Sequence, residues 1–234
     1  MKKRIWELDA FRGICIFGMM VVHFAYDLTD LFGIIQWQYP AWFAFMQRWG
    51  GVLFLLISGI SATLGRSSVR RGFIVLLAGA VVTTVTYCMY KYFSFAKSII
   101  IYFGVLQCLG TCMILWWLFK RLPNWALVMI GLMMVAAGLY LDRVILVDHP
   151  WLIPLGFVYP RFASSDYFPL LPNLGFFLLG GVLGRTVYKN KQTLLPMLSE
   201  RAPIIRGLCF CGKHSLWFYL LHQPILAGIC MLLQ

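Results

Sequence analysis

Long, uninterrupted apolar runs dominate the chain. Seven of them reach the roughly 20 residues a helix needs to cross a bilayer: 11–32, 41–65, 72–93, 98–119, 123–146, 170–188 and 208–233. They are continuous rather than alternating, which separates them from the segments of about 10 residues that build a membrane barrel. Pro40 and Pro123 stand where helices begin, a position at which the missing N–H removes no hydrogen bond. The stretch 150–169 is also apolar but holds Pro150, Pro154, Pro160 and Pro169. It is therefore expected to be an irregular interfacial or re-entrant loop. No internal repeat or linker divides the runs. The pattern predicts an all-α, polytopic transmembrane helix bundle of about seven spanning helices, one domain over 1–234.

Composition excludes the soluble alternatives. Of 234 residues, 61% are hydrophobic and 12% charged, and the mean hydropathy is +0.81. So few charges cannot cover that much apolar surface in water. A soluble enzyme, a disordered chain, a coiled coil and a small disulfide scaffold all fail on this ground. The N-terminal Met-Lys-Lys-Arg precedes an apolar run too long for a signal peptide, and one that carries Arg12, His23 and Asp27. It reads as a retained first helix. Seven cysteines, an odd number, mostly sit inside apolar runs and read as small buried hydrophobes. Cys209, Cys211 and His214 are half of a metal-site spacing with no second half, so no metal is expected.

The net charge of +12 follows the loops. Lys2, Lys3, Arg4, Arg66, Arg70, Arg71, Lys120, Arg121, Arg185, Lys189, Lys191, Arg201, Arg206 and Lys213 fall on one side of the predicted bundle. Lys91, Lys97, Arg143 and Arg161 fall on the other. Fourteen against four predicts a cytoplasmic N-terminus and a C-terminus outside, in the cell's inner membrane. The same cations suit anionic lipid, and nothing in their arrangement matches a nucleic-acid recognition module.

Charged side chains near the bilayer centre cost about 2.5–3.5 kcal/mol or more, so those present need a partner or a cavity. The first helix concentrates them. At about 100° per residue, His23 lies within about 20° of Arg12, and Asp27 a further 40° or so on, with Asp9 one turn before Arg12. They form one polar stripe in which Arg12 and His23 are about 16 Å apart along the axis. Two readings fit the stripe. In one, Asp9–Arg12 and His23–Asp27 are local pairs that lock the bundle. In the other, His23 is a general base oriented by Asp27, and Arg12 holds an anionic ligand from the cytoplasm. His222, ahead of Pro224, is a second imidazole in the last segment. Ser58-Gly59 with Ser61 reads first as small-residue helix packing, and also as a place where a ligand can approach the backbone.

Several stretches carry a family resemblance. Arg-Ile-Trp-Glu-Leu-Asp-Ala-Phe-Arg-Gly-Ile (4–14) followed by His23 resembles the opening of transmembrane acyltransferases and has the Arg-x10-His spacing of the acyltransferase-3 family. Leu-Ile-Ser-Gly-Ile-Ser (56–61), Arg-Arg-Gly (70–72), Tyr-Phe-Gly-Val-Leu-Gln (102–107), Asp-Tyr-Phe-Pro-Leu-Leu-Pro (166–172) and Gly-Lys-His-Ser-Leu-Trp-Phe-Tyr-Leu-Leu-His-Gln-Pro-Ile (212–225) extend it. It is closer still to bacterial members of the heparan-alpha-glucosaminide N-acetyltransferase catalytic-domain family. The resemblance implies transfer of an acetyl group from cytoplasmic acetyl-CoA to a hydroxyl or amine of an acceptor on the far side, often a sugar. His23 and Asp27 would then be catalytic, His23 as the base or as a transient carrier of the acetyl group, with Arg12, Arg66, Arg70 and Arg71 toward the coenzyme. Ser58, Gln107 and His222 would lie toward the acceptor. Gln107 stands where relatives often have His, and the extra luminal segment of the animal enzyme is missing, so its sugar specificity does not carry over. The rival readings are a proton-coupled transporter or flippase of a small polar solute, and a structural or sensory protein. A homo-oligomer stays open.

Overall fold

The computed structural model describes residues 5–65, 67–93, 95–144, 149–160, 162–196 and 202–233, with backbone alone at 142–144. Helix α1 (Trp6–Tyr26) runs into a π-helical turn, Asp27–Leu31. Then come α2 (Ala41–Leu64), α3 (Ser68–Tyr92), a 3-10 turn (Lys97–Ile99), α4 (Val105–Phe119) and α5 (Asn124–Val144). A second 3-10 turn (Pro150–Leu155), α6 (Leu170–Thr186), α7 (Pro203–Lys213) and α8 (Ser215–Leu232) complete the chain. Trp6–Leu31, Ala41–Leu64, Ser68–Tyr92, Asn124–Leu141 and Ser215–Leu232 are long and apolar enough to cross a membrane, while α4 and α6 are apolar but shorter. The all-α membrane bundle expected from the apolar pattern is what the chain forms, and 150–169 is irregular as expected.

Two segments differ in detail. The fourth does not start at 98: a 3-10 turn and extended backbone occupy 97–104, and α4 begins at Val105. The last is not one helix: it breaks at His214, which ends α7 and opens α8. Hydrophobicity is continuous through both places, so the apolar pattern carries no mark of either.

The chain folds into two compact units. The first comprises Met1–Ile57 and Tyr188–Gln234. Its main packing is α7 on α1. Ile205, Leu208, Cys209 and Gly212 recur at helical spacing on the covered face of α7, while Ile204, Arg206, Phe210 and Lys213 are exposed. The backbones approach so closely that a methyl on Gly212 would lie 1.8 Å from the Asp9 carbonyl oxygen, and one on Gly13 2.1 Å from that of Leu208. Only a missing side chain permits this, as at small-residue crossings in membranes. Glu7, 2% exposed, accepts from Thr193 Oγ1 (2.8 Å) and the Leu194 N–H (2.7 Å), which ties 193–194 to the start of α1.

The second unit comprises Ser58–Val187. Its helices meet at glycines too: Gly72 on Gly110 between α3 and α4, Gly131 on Gly175 between α5 and α6, and Gly59 on the Phe177 carbonyl between α2 and α6. The non-helical stretch before α4 is held by an almost complete set of hydrogen bonds. Ile101 exchanges bonds with the hydroxyls of Thr83 and Thr86. Ser164 and Ser165 donate to the carbonyls of Ile100 and Ser98. Phe103 pairs with Tyr167 in a single β-bridge, and the Phe168 N–H donates to the Phe103 carbonyl (2.9 Å). Asp166 caps α4 by accepting from the Val105 N–H (3.0 Å). Gln107 closes the joint: its Oε1 accepts from the Gly104 N–H (3.0 Å), and its Nε2 donates to the Gly79 carbonyl (2.9 Å) and Thr83 Oγ1 (2.8 Å).

Gln107→Leu leaves those three groups without their partner in a buried site, which costs about 1–3 kcal/mol. The unfolding midpoint of the purified variant is expected to fall accordingly, and an unchanged midpoint would show that this joint does not carry stability.

Candidate functional site

The polar stripe of α1 belongs entirely to the first unit, and α8 meets it there. Near the start of α1, Arg12 Nη1 lies 3.2 Å from Asp9 Oδ1, the i,i+3 pair of the structural reading. The Arg12 side chain is 16% exposed. Eleven residues on, His23 is half-buried, and its Nδ1 lies 3.2 Å from Gln223 Oε1 on α8. Among the described residues nothing hydrogen-bonds its other nitrogen, Nε2. Asp27, fully buried, opens the π-helical turn and receives the Gln223 amide nitrogen at 2.8 Å on Oδ1 and 3.0 Å on Oδ2.

This corrects the expected arrangement. Asp27 does not orient His23 directly across one helical turn; the two share Gln223, which spans from carboxylate to imidazole. The Asp side chain is short and its oxygens are taken by the amide, so the link runs through α8. His222 is the neighbour of that amide. Its ring meets His23 edge-on with centroids 4.9 Å apart, its Nδ1 lies 2.6 Å from the Tyr219 carbonyl, and its buried Nε2 has no hydrogen-bond partner among the described residues. The sequence reading singled out His222 and passed over Gln223. The available signal was a second polar side chain, beside Pro224, in a helix of membrane length.

The π-turn itself and the segment after it carry a polar and aromatic cluster. Thr29 bonds the Ala25 carbonyl (2.8 Å), Asp30 Oδ2 (2.8 Å) and the Tyr39 hydroxyl, which itself donates to Asp30 (2.5 Å). Burial first, and then the Asp30 carboxylate, push the Tyr39 hydroxyl above its ordinary range, so it stays a neutral donor. Tyr39 stacks on Phe43 with Trp37 edge-on to both, and Trp37 and Trp42 remain exposed.

Ser58, Gln107, Arg70 and Arg71 belong to the second unit. Ser58 is buried in α2 next to the Gly59 crossing. The amide of Gln107 is committed to Gly79, Thr83 and Gly104 as described. Arg70 is exposed in the first turn of α3, and Arg71 Nε donates to the Ser67 carbonyl (3.2 Å). Arg66 lies outside the described residues. A cavity of about 200 Å³ opens beside the start of α3, lined by Ala62, Thr63, Gly65, Ser68, Trp116, Lys120 and Arg185. Arg185 donates to the carbonyls of Lys120 and Leu122 at the end of α4, and its guanidinium lies 5.1 Å over the Trp116 ring. Two cations and the N-terminal turn of a long helix make this cavity suited to an anion.

No curated protein and no solved structure matches the chain. The family described as "Heparan-alpha-glucosaminide N-acetyltransferase, catalytic" matches over residues 4–224. That span takes in residues of both units and all of the motifs quoted for the resemblance except the final Ile225. With a helical membrane fold around a buried imidazole, the match shows that the chain belongs to the heparan-alpha-glucosaminide N-acetyltransferase catalytic-domain family of membrane acetyltransferases.

Proposed function

We propose that the chain moves an acetyl group from cytoplasmic acetyl-CoA to a hydroxyl or amine of a carbohydrate, or another small polar acceptor, on the outer side of the inner membrane. The observation that carries this reading is His23: one ring nitrogen held by Gln223, the other without a partner among the described residues, in the last turn of α1 within a span of membrane length. A general base needs that combination of a fixed ring and a nitrogen that an incoming proton donor can reach. The donor contributes an activated thioester acyl group. The chain contributes the rest. His23 Nε2 takes the proton of the acceptor as its nucleophilic atom attacks the thioester carbonyl; the carbon–sulfur bond then breaks, and the imidazolium returns the proton to the leaving thiolate. Asp27 stabilises the imidazolium that results, across the Gln223 amide. Arg12, at the cytoplasmic end of the same stripe, holds the donor end of the site.

The coenzyme is polyanionic, and the residues fit it. Arg70 and Arg71 stand at the start of α3 beside the cavity that Lys120 and Arg185 line, and Arg66 precedes them in sequence. On the acceptor side, the Thr29–Asp30–Tyr39 cluster offers hydroxyl and carboxylate groups next to the exposed rings of Trp37 and Trp42. Hydrogen-bonding groups beside aromatic faces suit a hydroxylated ring. His222 Nε2 is a second lone pair within the imidazole pair and belongs to the acceptor side of the proposal. Ser58 and Gln107, in the second unit, are assigned to the acceptor side in the same proposal.

His23→Ala is expected to lower acetyl transfer by about 10²–10⁴-fold, the usual contribution of a positioned base, with acetyl-CoA binding retained. Asp27→Asn is expected to lower the rate less, because the base remains. Near wild-type turnover in His23→Ala, measured as thiol release from acetyl-CoA in the presence of acceptor, would remove His23 from the mechanism.

Arg12→Lys replaces a planar fork by a point charge. Titration calorimetry is expected to give about tenfold weaker acetyl-CoA binding, near 1.4 kcal/mol. Unchanged affinity in a folded Arg12→Ala variant would assign Arg12 to the Asp9 pair alone.

For orientation, the loop around 66–71 and the segment 185–213 are expected in the cytoplasm and the C-terminus outside. A reporter fused after Gln234 should be active only if it is a type that works when exported. Activity of a cytoplasmic reporter instead would mean that the break at His214 turns the chain back.

A further inference from the structure

We infer that Gln223 is a positioning residue that decides which nitrogen of His23 carries the proton, and that Asp27 sets that choice through it. The inference deepens the reading of His23 as the base and rests on it for its catalytic meaning. It starts from the two unlike ends of a primary amide: the NH2 group only donates, and the oxygen only accepts. Asp27 as a carboxylate only accepts, and it is fully buried. The Gln223 nitrogen reaches both its oxygens, at 2.8 and 3.0 Å. The flipped amide would press its oxygen against those of the buried carboxylate, an arrangement a low-dielectric site penalises heavily. Asp27 therefore fixes the amide.

The fixed amide in turn fixes the ring. Gln223 Oε1 faces His23 Nδ1 at 3.2 Å, and an oxygen there can only accept. Nδ1 must carry the hydrogen, so the neutral imidazole keeps its lone pair on Nε2, the nitrogen without a described protein partner. The neighbouring ring is set likewise: His222 Nδ1 donates to the Tyr219 carbonyl at 2.6 Å, which leaves its lone pair on Nε2. A histidine free of such partners prefers the opposite tautomer, with hydrogen on Nε2, and in that form His23 could not accept a proton there. The amide is thus the element that makes the accessible nitrogen the basic one. Helix α8 supplies it at a position adjacent to Pro224, which cannot donate to the carbonyl one turn back.

The test reads the tautomer directly. The full chain, labelled with ¹⁵N-histidine and held in lipid nanodiscs, is measured by NMR in alkaline buffer where imidazoles are neutral. The His23 signals are assigned by their loss in His23→Ala. Wild type is expected to show a protonated Nδ1 and an unprotonated Nε2. In Gln223→Leu the proton should move mainly to Nε2, and kcat for acetyl transfer should fall on the order of a hundredfold with KM for acetyl-CoA unchanged. In Asp27→Asn the amide loses its anchor, and both tautomers should appear. A wild-type His23 protonated on Nε2, or on both nitrogens, overturns the proposal, as does a Gln223→Leu protein whose His23 keeps Nδ1–H. If Gln223→Leu does not fold, the nearly isosteric Asp27→Asn decides: a single unchanged tautomer there overturns the relay. The two readings fail separately. A tautomer shift with full transfer in His23→Ala keeps the relay and removes the base. No shift, with transfer lost in His23→Ala, does the reverse.

Discussion

A backbone or side-chain polar group that finds no partner in hydrocarbon costs several kcal/mol, because no water is there to take the bond. Most of what is irregular in this chain answers to that constraint. The extended backbone before α4 is tolerable because Thr83, Thr86, Ser164, Ser165, Asp166 and Gln107 between them meet its N–H and carbonyl groups. Glu7 is buried because Thr193 and Leu194 donate to it. Asp27 is buried because Gln223 does. Glu7 and Asp27 are both met by a donor from a distant part of the chain, so polar groups that look like liabilities in the sequence become places where that chain is pinned.

The helices themselves need a different means of association, since lipid is as apolar as their surfaces. Close backbone approach supplies it. Gly13 and Gly212 bring α7 onto α1, and Gly72 and Gly110 bring α3 onto α4. Within the first unit the α1–α7 crossing is held by Gly13 and Gly212, and the His23–Gln223 contact adds a polar tie between α1 and α8.

Apolar length made the bundle legible in the sequence, because the number of residues needed to span a bilayer is fixed by its thickness. The polar stripe on α1 was legible because an ionisable group inside such a run is costly enough to demand a reason. The start of α4 and the break at His214 were not legible. Both lie inside continuous hydrophobicity, and both are set by pairings between residues far apart in sequence, such as Phe103 with Tyr167 and Gly212 with Asp9. The direct His23–Asp27 pair was the natural expectation from spacing four residues on one helix. Spacing cannot reveal that a residue some two hundred positions later inserts its amide between them. The motif 212–225 did contain Gln223, but an amide has no charge and no titration to draw attention to it.

That amide has a consequence for proton movement. A chain of carboxylates, imidazoles and waters passes protons by exchanging donor and acceptor roles along its length. A glutamine side chain exchanges them only by becoming an imidic acid, a form too high in energy to be populated. Placed between Asp27 and His23, it conveys the influence of a negative charge while acting as an insulator in the conduction path. The hydrogen-bonded path from Asp27 through Gln223 to His23 is therefore closed to protons, although it carries charge influence.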